Sequence, residues 1–223
     1  MIAMSSAVLC IGIGMMAGCS DSVSSDATVV GVAFQAGPYG GYGLVMGDST
    51  DQIAQLNITR ARVVLGRMEI QGTEDTVVCR SDESAPLILD LDLSGRLQTV
   101  SLAPVRPGEY NSALVRIGRL EVSDLAVWNA NPDMQNRSLV VEGYLNGDPE
   151  QPFVFSSGLD EALGCQFEPK LVKEKGSTVI VFQMDYTRWF RDDLGDLINP
   201  DNGQLAAWRS VVEENIVNSL SVR

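Results

Sequence analysis

From residue 28 onward, apolar and polar side chains alternate along much of the chain. Segment Leu87–Leu93 places its four leucines on one face and its isoleucine and aspartates on the other. Segment Thr178–Tyr186 alternates in the same way, with Ile180, Phe182 and Met184 on one face. Successive side chains of a strand point to opposite faces, so a period of two predicts strands with one buried face. A chain built this way must fold by pairing strands into sheets.

Two glycines interrupt the alternation. Along Ile58–Ile70 the apolar positions change phase across Gly66, and a similar change occurs at Gly118 after Ile117. One extra residue in a strand produces such a change, because every later side chain moves to the other face. The sequence therefore predicts β-bulges at both glycines.

Turn residues separate further strands. These strands are predicted at residues 28–35, 98–102, 120–128, 138–145, 152–156 and 167–172. The turns are Pro107-Gly108, Asn131-Pro132-Asp133, Asn146-Gly147-Asp148-Pro149 and Lys175-Gly176. Many short strands at this spacing favour a sandwich or a barrel.

The end of the chain has a helical period. Apolar residues there recur every three or four positions, which is typical of an amphipathic helix. They are Leu205, Trp208, Val212, Ile216 and Leu220. We expect Arg209, Glu213 and Glu214 to point away from the core, and Asp201 or Asn202 to cap the helix.

The first residues predict an export signal. Residues 1–18 carry no charged side chain and end in small residues, as a signal peptide does. The run is shorter than the roughly 20 apolar residues that span a membrane, and a Ser/Asp-rich stretch follows it. Met16-Ala17-Gly18-Cys19 resembles the lipobox of bacterial lipoproteins. That resemblance implies that Cys19 carries diacylglycerol and palmitate-type acyl chains; the alternative is an unlipidated secretory peptide.

The sequence thus divides into three parts. Residues 1–18 are the predicted signal peptide, and residues 19–27 are the lipidated cysteine and a flexible tether. Residues 28–223 are predicted to be a single, mainly β domain: an antiparallel β-sandwich with a C-terminal α-helix packed on it. Ser20 after the cysteine resembles the outer-membrane sorting preference of lipoproteins. We therefore expect a lipid-anchored protein of the cell envelope, at the outer membrane.

The charge balance excludes some partners. The chain has 29 acidic and 16 basic residues, a formal net charge of -13, and its basic residues are scattered. Nucleic-acid binding needs clustered Lys and Arg, and so does adhesion to anionic lipid. We expect no nucleic-acid partner, and contact with the membrane through the lipid alone.

Four cysteines are present. Cys10 leaves with the signal peptide and Cys19 is lipidated, which leaves Cys79 and Cys165 in an oxidising compartment. We predict a disulfide between them, which would stabilise the fold by roughly 4–5 kcal/mol. The alternative is two buried free thiols.

The absence of histidine limits catalysis. With no His in the sequence, Ser-His and Cys-His nucleophiles and His-based zinc sites are excluded. Gly47-Asp48-Ser49 resembles the first block of SGNH-type hydrolases, but that serine needs a histidine, so we interpret residues 47–50 as a turn. A hydrolase using two carboxylates is a third-ranked alternative. We predict no enzyme, no catalytic residue and no cofactor.

One loop offers oxygen ligands. Asp192, Asp193, Asp196 and Asp201 lie close together in sequence, and calcium prefers such ligands. Their spacing does not match an EF-hand. Solvated turn residues and a helix cap are the alternative interpretation.

The C-terminal third carries a family resemblance. Its marks are Met184-Asp-Tyr-Thr-Arg-Trp189-Phe190, Asn199-Pro200, Asn215-Ile216 and Ser219-Leu220. This pattern resembles a broad group of bacterial lipoproteins with a β-sandwich domain of unknown function. The resemblance implies the fold and no activity. We interpret Trp189 and Phe190 as core anchors that pin the strand end against the helix, in preference to a ligand-stacking role.

Two functions remain open. The leading hypothesis is a non-enzymatic binding or scaffold module of the envelope, which presents strand edges and loops to a protein or carbohydrate partner. The alternative is a calcium- or small-ligand-binding protein. Its site would be the loop at 192–203 or the glycine-rich loop at 37–43.

Overall fold

The computed structural model describes residues 28–37, 44–46, 55–73, 77–80, 85–200 and 205–222. The predicted signal peptide, Cys19 and the tether lie outside these residues. So do the glycine-rich loop after Gly37, the predicted turn at 47–50, and Asp201 and Asn202.

The described chain contains twelve strands and two α-helices. The strands are β1 (Val29–Gly37), β2 (Leu44–Met46), β3 (Gln55–Gly72), β4 (Val77–Arg80), β5 (Leu87–Asp90), β6 (Gln98–Pro104), β7 (Gly108–Ile117), β8 (Leu139–Leu145), β9 (Pro152–Ser157), β10 (Glu161–Val172), β11 (Ser177–Asp185) and β12 (Leu220–Val222). The helices are α1 (Leu125–Ala130) and α2 (Leu205–Asn218). No helix in this part of the chain has the length and apolar character needed to span a bilayer.

The strands form two sheets, as in the predicted sandwich with a C-terminal helix. The smaller sheet has the order β12-β11-β1-β6, and the larger has the order β10-β7-β3-β8-β9. Strands β2, β4 and β5 also pair with β3. One pair departs from the antiparallel prediction, because β1 and β11 run parallel, from Val29 opposite Ser177 to Gly37 opposite Asp185. Most of the domain lies between them in sequence, which is ample for the long connection that a parallel pair needs.

The core lies between the sheets, where the predicted alternation is confirmed. Ile180, Phe182 and Met184 on β11 are all buried. The rings of Phe34 and Phe182 stack with centroids 5.1 Å apart. Of the four leucines predicted on one face of segment 87–93, Leu89 and Leu91 are buried in this core, whereas Leu87 is 38% exposed.

The bulge predicted at Gly66 is confirmed by the pairing of β3 with β7. Leu65 lies opposite Ile117 and Met68 lies opposite Val115, so the register shifts between them. At Gly118 the outcome differs, because β7 ends at Ile117 and the chain leaves the sheet there.

The strand predicted at 120–128 is wrong. The chain instead crosses the outer face of the larger sheet, meaning the face turned away from the smaller sheet, and forms α1. A second small core lies beneath this crossing, where Leu120 and Met134 pack on Val64 and Val140. Val122, which alternation would group with Leu120, is 65% exposed. The apolar residues here follow an irregular path over a sheet that the local sequence does not reveal.

Helix α2 packs through Val212 and Ile216, which are fully buried. Arg209 and Glu213 do not point away as predicted. Arg209 donates to the backbone oxygen of Ser156 on β9 at 2.7 Å and lies 5.5 Å from the centroid of the Phe155 ring. The Glu213 carboxylate accepts a 2.6 Å hydrogen bond from Ser157. The helix therefore occupies part of the outer edge of β9, which limits pairing with another chain.

The predicted disulfide is absent from the structure. Cys165 is a free thiol. Along one row of the larger sheet, Cys79 pairs with Ile70, Ile70 with Ala113, and Ala113 with Cys165. Three strand spacings of about 4.8 Å separate the two cysteine backbones by about 14 Å, whereas a disulfide needs Cα atoms within about 7 Å. The cysteine count and an oxidising compartment could not reveal this distance, because it depends on how the strands pair.

We therefore expect the unfolded protein to expose the same number of thiols with and without prior reduction. A thiol-reactive dye in denaturant measures both counts, and Cys165→Ser should lower each by one. In the folded protein the Cys165 thiol should react slowly, because burial raises its pKa and suppresses the thiolate. A count that rises after reduction, with a crosslinked Cys79–Cys165 peptide, would contradict the sheet register.

Candidate functional site

A cavity of about 400 Å³ lies on the outer face of the larger sheet, beside the point where β7 ends. Its walls bring together arginines and carboxylates from β3, β7 and the segments around them. These are Arg67, Arg116, Arg119, Glu121, Asp124 and Asp160. Basic residues are few in this acidic chain, so the presence of three arginines at one cavity makes it the candidate functional site.

Two glycines make room for the cavity. Gly66 lies in the bulge of β3 and Gly118 follows the last residue of β7, and both line the cavity above Val64. A Cβ atom on Gly66 would lie 3.8 Å from the backbone oxygen of Arg116. One on Gly118 would lie 3.6 Å from the Asp160 carboxylate. The two phase changes seen in the sequence thus meet at one place, where side chains would otherwise fill the space.

Arg116 and Asp160 form one rigid wall. The Arg116 Nε and Nη2 atoms each donate to a different oxygen of Asp160 at 2.9 Å. This bidentate pair lowers the pKa of Asp160 and raises the pKa of Arg116. Both side chains are about half exposed, at 54% and 46%, so the pair adds little to stability. Its value is geometric, because two parallel hydrogen bonds fix the orientation of both groups.

Arg119 is held differently. Its Nε donates to the backbone oxygen of Gly158. It also helps to lower the pKa of Asp160, after the larger contributions of Arg116. Its terminal nitrogens have no hydrogen bond to a carboxylate within the described chain, so they are available to a ligand. Arg67, in contrast, pairs with the buried Glu69.

Glu121 and Asp124 complete the cavity. Asp124 precedes α1 but its side chain makes no capping hydrogen bond. Glu121 contributes to the raised pKa of Arg116, so it lies near that wall. The cavity therefore combines Arg119, whose two terminal nitrogens keep their donors, with two carboxylates that keep acceptor positions.

A buried charged cluster holds the crossing segment in place. The side chain of Arg62 is only 8% exposed, and its Nη1 and Nη2 donate to Asp133 and Asn131, each at 2.6 Å. Its Nε lies 3.3 Å from an Asp90 oxygen, an ion-pair distance, but is not aligned for a hydrogen bond. Burial would raise the pKa of Asp133, yet the Arg62 hydrogen bond and charge outweigh it and lower that pKa. This cluster ties residues 131–133 to the sheet and so fixes the segment that carries Glu121 and Asp124.

The first carboxylate of the predicted calcium loop accepts hydrogen bonds from the backbone of the loop. Asp192 Oδ1 accepts hydrogen bonds from the backbone N–H groups of Leu194 and Asp196, both at 2.9 Å. No three His, Cys, Asp or Glu residues within the described chain are arranged to hold a metal ion. Asp193 and Asp196 join no such group, and Asp201 lies outside the described residues. The described part of this loop does not support a calcium site.

Trp189 and Phe190 are core anchors, as predicted. Both are fully buried. Phe190 packs edge-on against Phe153 and Phe155, with centroids 5.9 and 5.4 Å away. Neither ring is placed to stack on a ligand.

Known proteins give no further guide. Neither the known protein families, nor the curated proteins, nor the solved structures provide a match to this chain. The function must therefore be argued from the cavity and from the residues that form it.

Sequence reasoning missed this cavity. The glycine phase changes and the scarcity of basic residues were the available signals. Neither could pair Arg116 with Asp160, which lie 44 positions apart.

Proposed function

We propose that this protein is a bacterial lipoprotein, anchored to the cell envelope through acylated Cys19, whose β-sandwich is a non-enzymatic binding module. The cavity at Arg116 and Arg119 is the observation that carries the binding role. Hydrogen bonds hold Arg116, Asp160 and Arg119 in place before any ligand arrives, which lowers the ordering cost of binding.

The anchor is supported by the sequence Met16-Ala17-Gly18-Cys19. Each buried methylene of an acyl chain contributes about 0.8 kcal/mol, so a multiply acylated cysteine stays in the bilayer. A net charge of -13 gives the protein itself no attraction to anionic lipid. The lipid alone would then set the location, and the Ser/Asp-rich tether would let the domain face its ligand.

The cavity favours a small ligand, or the end group of a larger envelope molecule, over a partner docked on strand edges. A volume of about 400 Å³ is within the range of small-molecule sites. Edge pairing is opposed at β9, where Arg209 occupies the backbone oxygen of Ser156. A pocket ligand is therefore the better-supported kind of partner.

The anchor is tested by fractionation of cells that express the full chain with labelled palmitate. We expect the wild-type protein to be labelled and to sediment with outer membranes, and Cys19→Ser to be unlabelled and absent from the outer-membrane fraction. Cys10→Ser is the matched control, since that cysteine leaves with the signal peptide, and it should behave as wild type. Palmitate labelling that persists in Cys19→Ser would overturn the proposed anchor.

A further inference from the structure

We propose that the cavity at Arg119 binds a small zwitterion, in which an anionic group lies beside an ammonium group. The anionic group would contact the terminal nitrogens of Arg119, and the ammonium would contact Asp124 and Glu121. This inference deepens the proposed function and rests on it.

The charge balance of the walls leads to this class of ligand. Among the described residues, three arginines and three carboxylates line the cavity, so their formal charges balance. An anion alone would gain from Arg119 but would meet Glu121 and Asp124. A cation alone would gain from those carboxylates but would meet the arginines. Only a ligand with both charges finds a favourable partner for each of them.

The hydrogen bonds that Arg116 and Arg119 already make limit which of their nitrogens can contact a ligand. Arg116 gives its Nε and Nη2 to Asp160, so it serves as a fixed wall. Arg119 gives only its Nε, to Gly158. A guanidinium held by one nitrogen keeps its planar pair of terminal donors, which suits the two oxygens of a carboxylate or phosphate. Arg119 would thus contact the anionic group, and Asp124 with Glu121 would contact the ammonium.

The size of the ligand follows from the cavity and its floor. Gly66 and Gly118 leave the floor open, and Val64 beneath them is almost completely buried. Within the described chain no aromatic residue lines the cavity, so a flat ring has no aromatic stacking partner there. The best fit is a compact aliphatic zwitterion, either a carboxylate with an ammonium or a phosphate with an ammonium.

Calorimetric titration of the detergent-solubilised full-length protein tests this with two matched sets of probes. Glycine is compared with acetate and methylamine, and phosphoethanolamine is compared with phosphate and ethanolamine. We expect at least one zwitterion to bind about tenfold or more tightly than either of its halves, as one added charged hydrogen bond would give. The tighter zwitterion identifies the anionic group.

Two variants and a control locate the site. Arg119→Met and Asp124→Asn should each weaken zwitterion binding about tenfold or more. Within the described fold, neither side chain forms a hydrogen-bonded ion pair with another side chain. Both variants should therefore keep the wild-type circular dichroism spectrum. Arg96→Met, an exposed arginine outside the cavity, should bind as wild type.

The inference is overturned if neither zwitterion binds more tightly than its halves. It is equally overturned if folded Arg119→Met and Asp124→Asn both bind as wild type. These outcomes leave the anchor untouched, since palmitate labelling and fractionation measure it separately.

Discussion

Replacing Trp189 with alanine is expected to lower the free energy of unfolding by about 3–5 kcal/mol. Trp189 is fully buried and is the largest side chain of the core. Its removal would leave a cavity between the end of β11 and α2, where the close-packed surroundings cannot collapse fully. No other truncation in the described chain removes as much buried apolar volume.

Hydrogen bonds add to this loss. The Trp189 indole N–H donates to the Ser219 hydroxyl at 2.9 Å, and that hydroxyl donates to the backbone oxygen of Ile216 at 2.7 Å. Asn215 on α2 donates to the backbone oxygens of Trp189 and Arg191. The aromatic pair and the Asn-Ile and Ser-Leu pairs of the C-terminal pattern thus form one structural unit. Their role is to dock the helix, which explains their spacing without any ligand.

Denaturant unfolding of the full-length protein in mild detergent, followed by circular dichroism, measures the effect. Trp208→Ala is the matched control, because Trp208 lies on α2 and is 37% exposed; it should cost less than about 1.5 kcal/mol. Trp189→Phe should fall between the two, since it keeps a ring but leaves the Ser219 hydroxyl without its donor. Equal losses for Trp189→Ala and Trp208→Ala would remove Trp189 from the role of anchor.

Local sequence pattern predicted those elements whose own residues decide their form. The face of β11 with Ile180, Phe182 and Met184 is one example, and the bulge at Gly66 is another. Pairing over long range could not be predicted in this way. Strand β11 lies parallel to β1 from the start of the domain, and no property of either segment alone selects that partner or that direction.

The cysteines show the same limit more sharply. Composition and compartment predicted a bridge, whereas the distance depends on the register of four strands. The strand predicted at 120–128 was wrong for a related reason, since Leu120 is buried by a sheet surface that other parts of the chain supply. The local pattern indicates that a residue is buried, but it does not indicate which surface of the protein buries it.

The cavity combines both kinds of information. Its glycines could be recognised in the sequence, because the alternation of apolar residues changes phase at each of them. Its charged residues come from segments that lie far apart in sequence and meet only in the fold. Arg62 links the two, because its hydrogen bonds to Asn131 and Asp133 position the crossing segment on the sheet. A buried guanidinium with two such hydrogen bonds restricts motion of the segment that carries Glu121 and Asp124. The binding site is thus fixed from beneath by a residue that does not line it.

Gly143→Ala is expected to lower the free energy of unfolding by about 3 kcal/mol, although it adds a single methyl group. Gly143 lies on β8 where the pairing with β3 shifts register after Ile58. A Cβ atom there would collide with the backbone oxygen of Asn57. It would also approach the Phe153 ring to 2.7 Å and the Asn57 carbonyl carbon to 2.9 Å.

The cost should be large because the obstacles cannot yield. The Asn57 carbonyl belongs to the backbone of β3, and the Phe153 ring is buried against Phe190. Gly164→Ala is the matched control on β10 of the same sheet, where an added Cβ meets nothing within 4 Å. It should leave stability unchanged or raise it by about 0.4–1 kcal/mol, because alanine restricts the unfolded chain. Denaturant unfolding compares the two, and equal stability would mean that β3 and β8 do not approach as closely as this register requires.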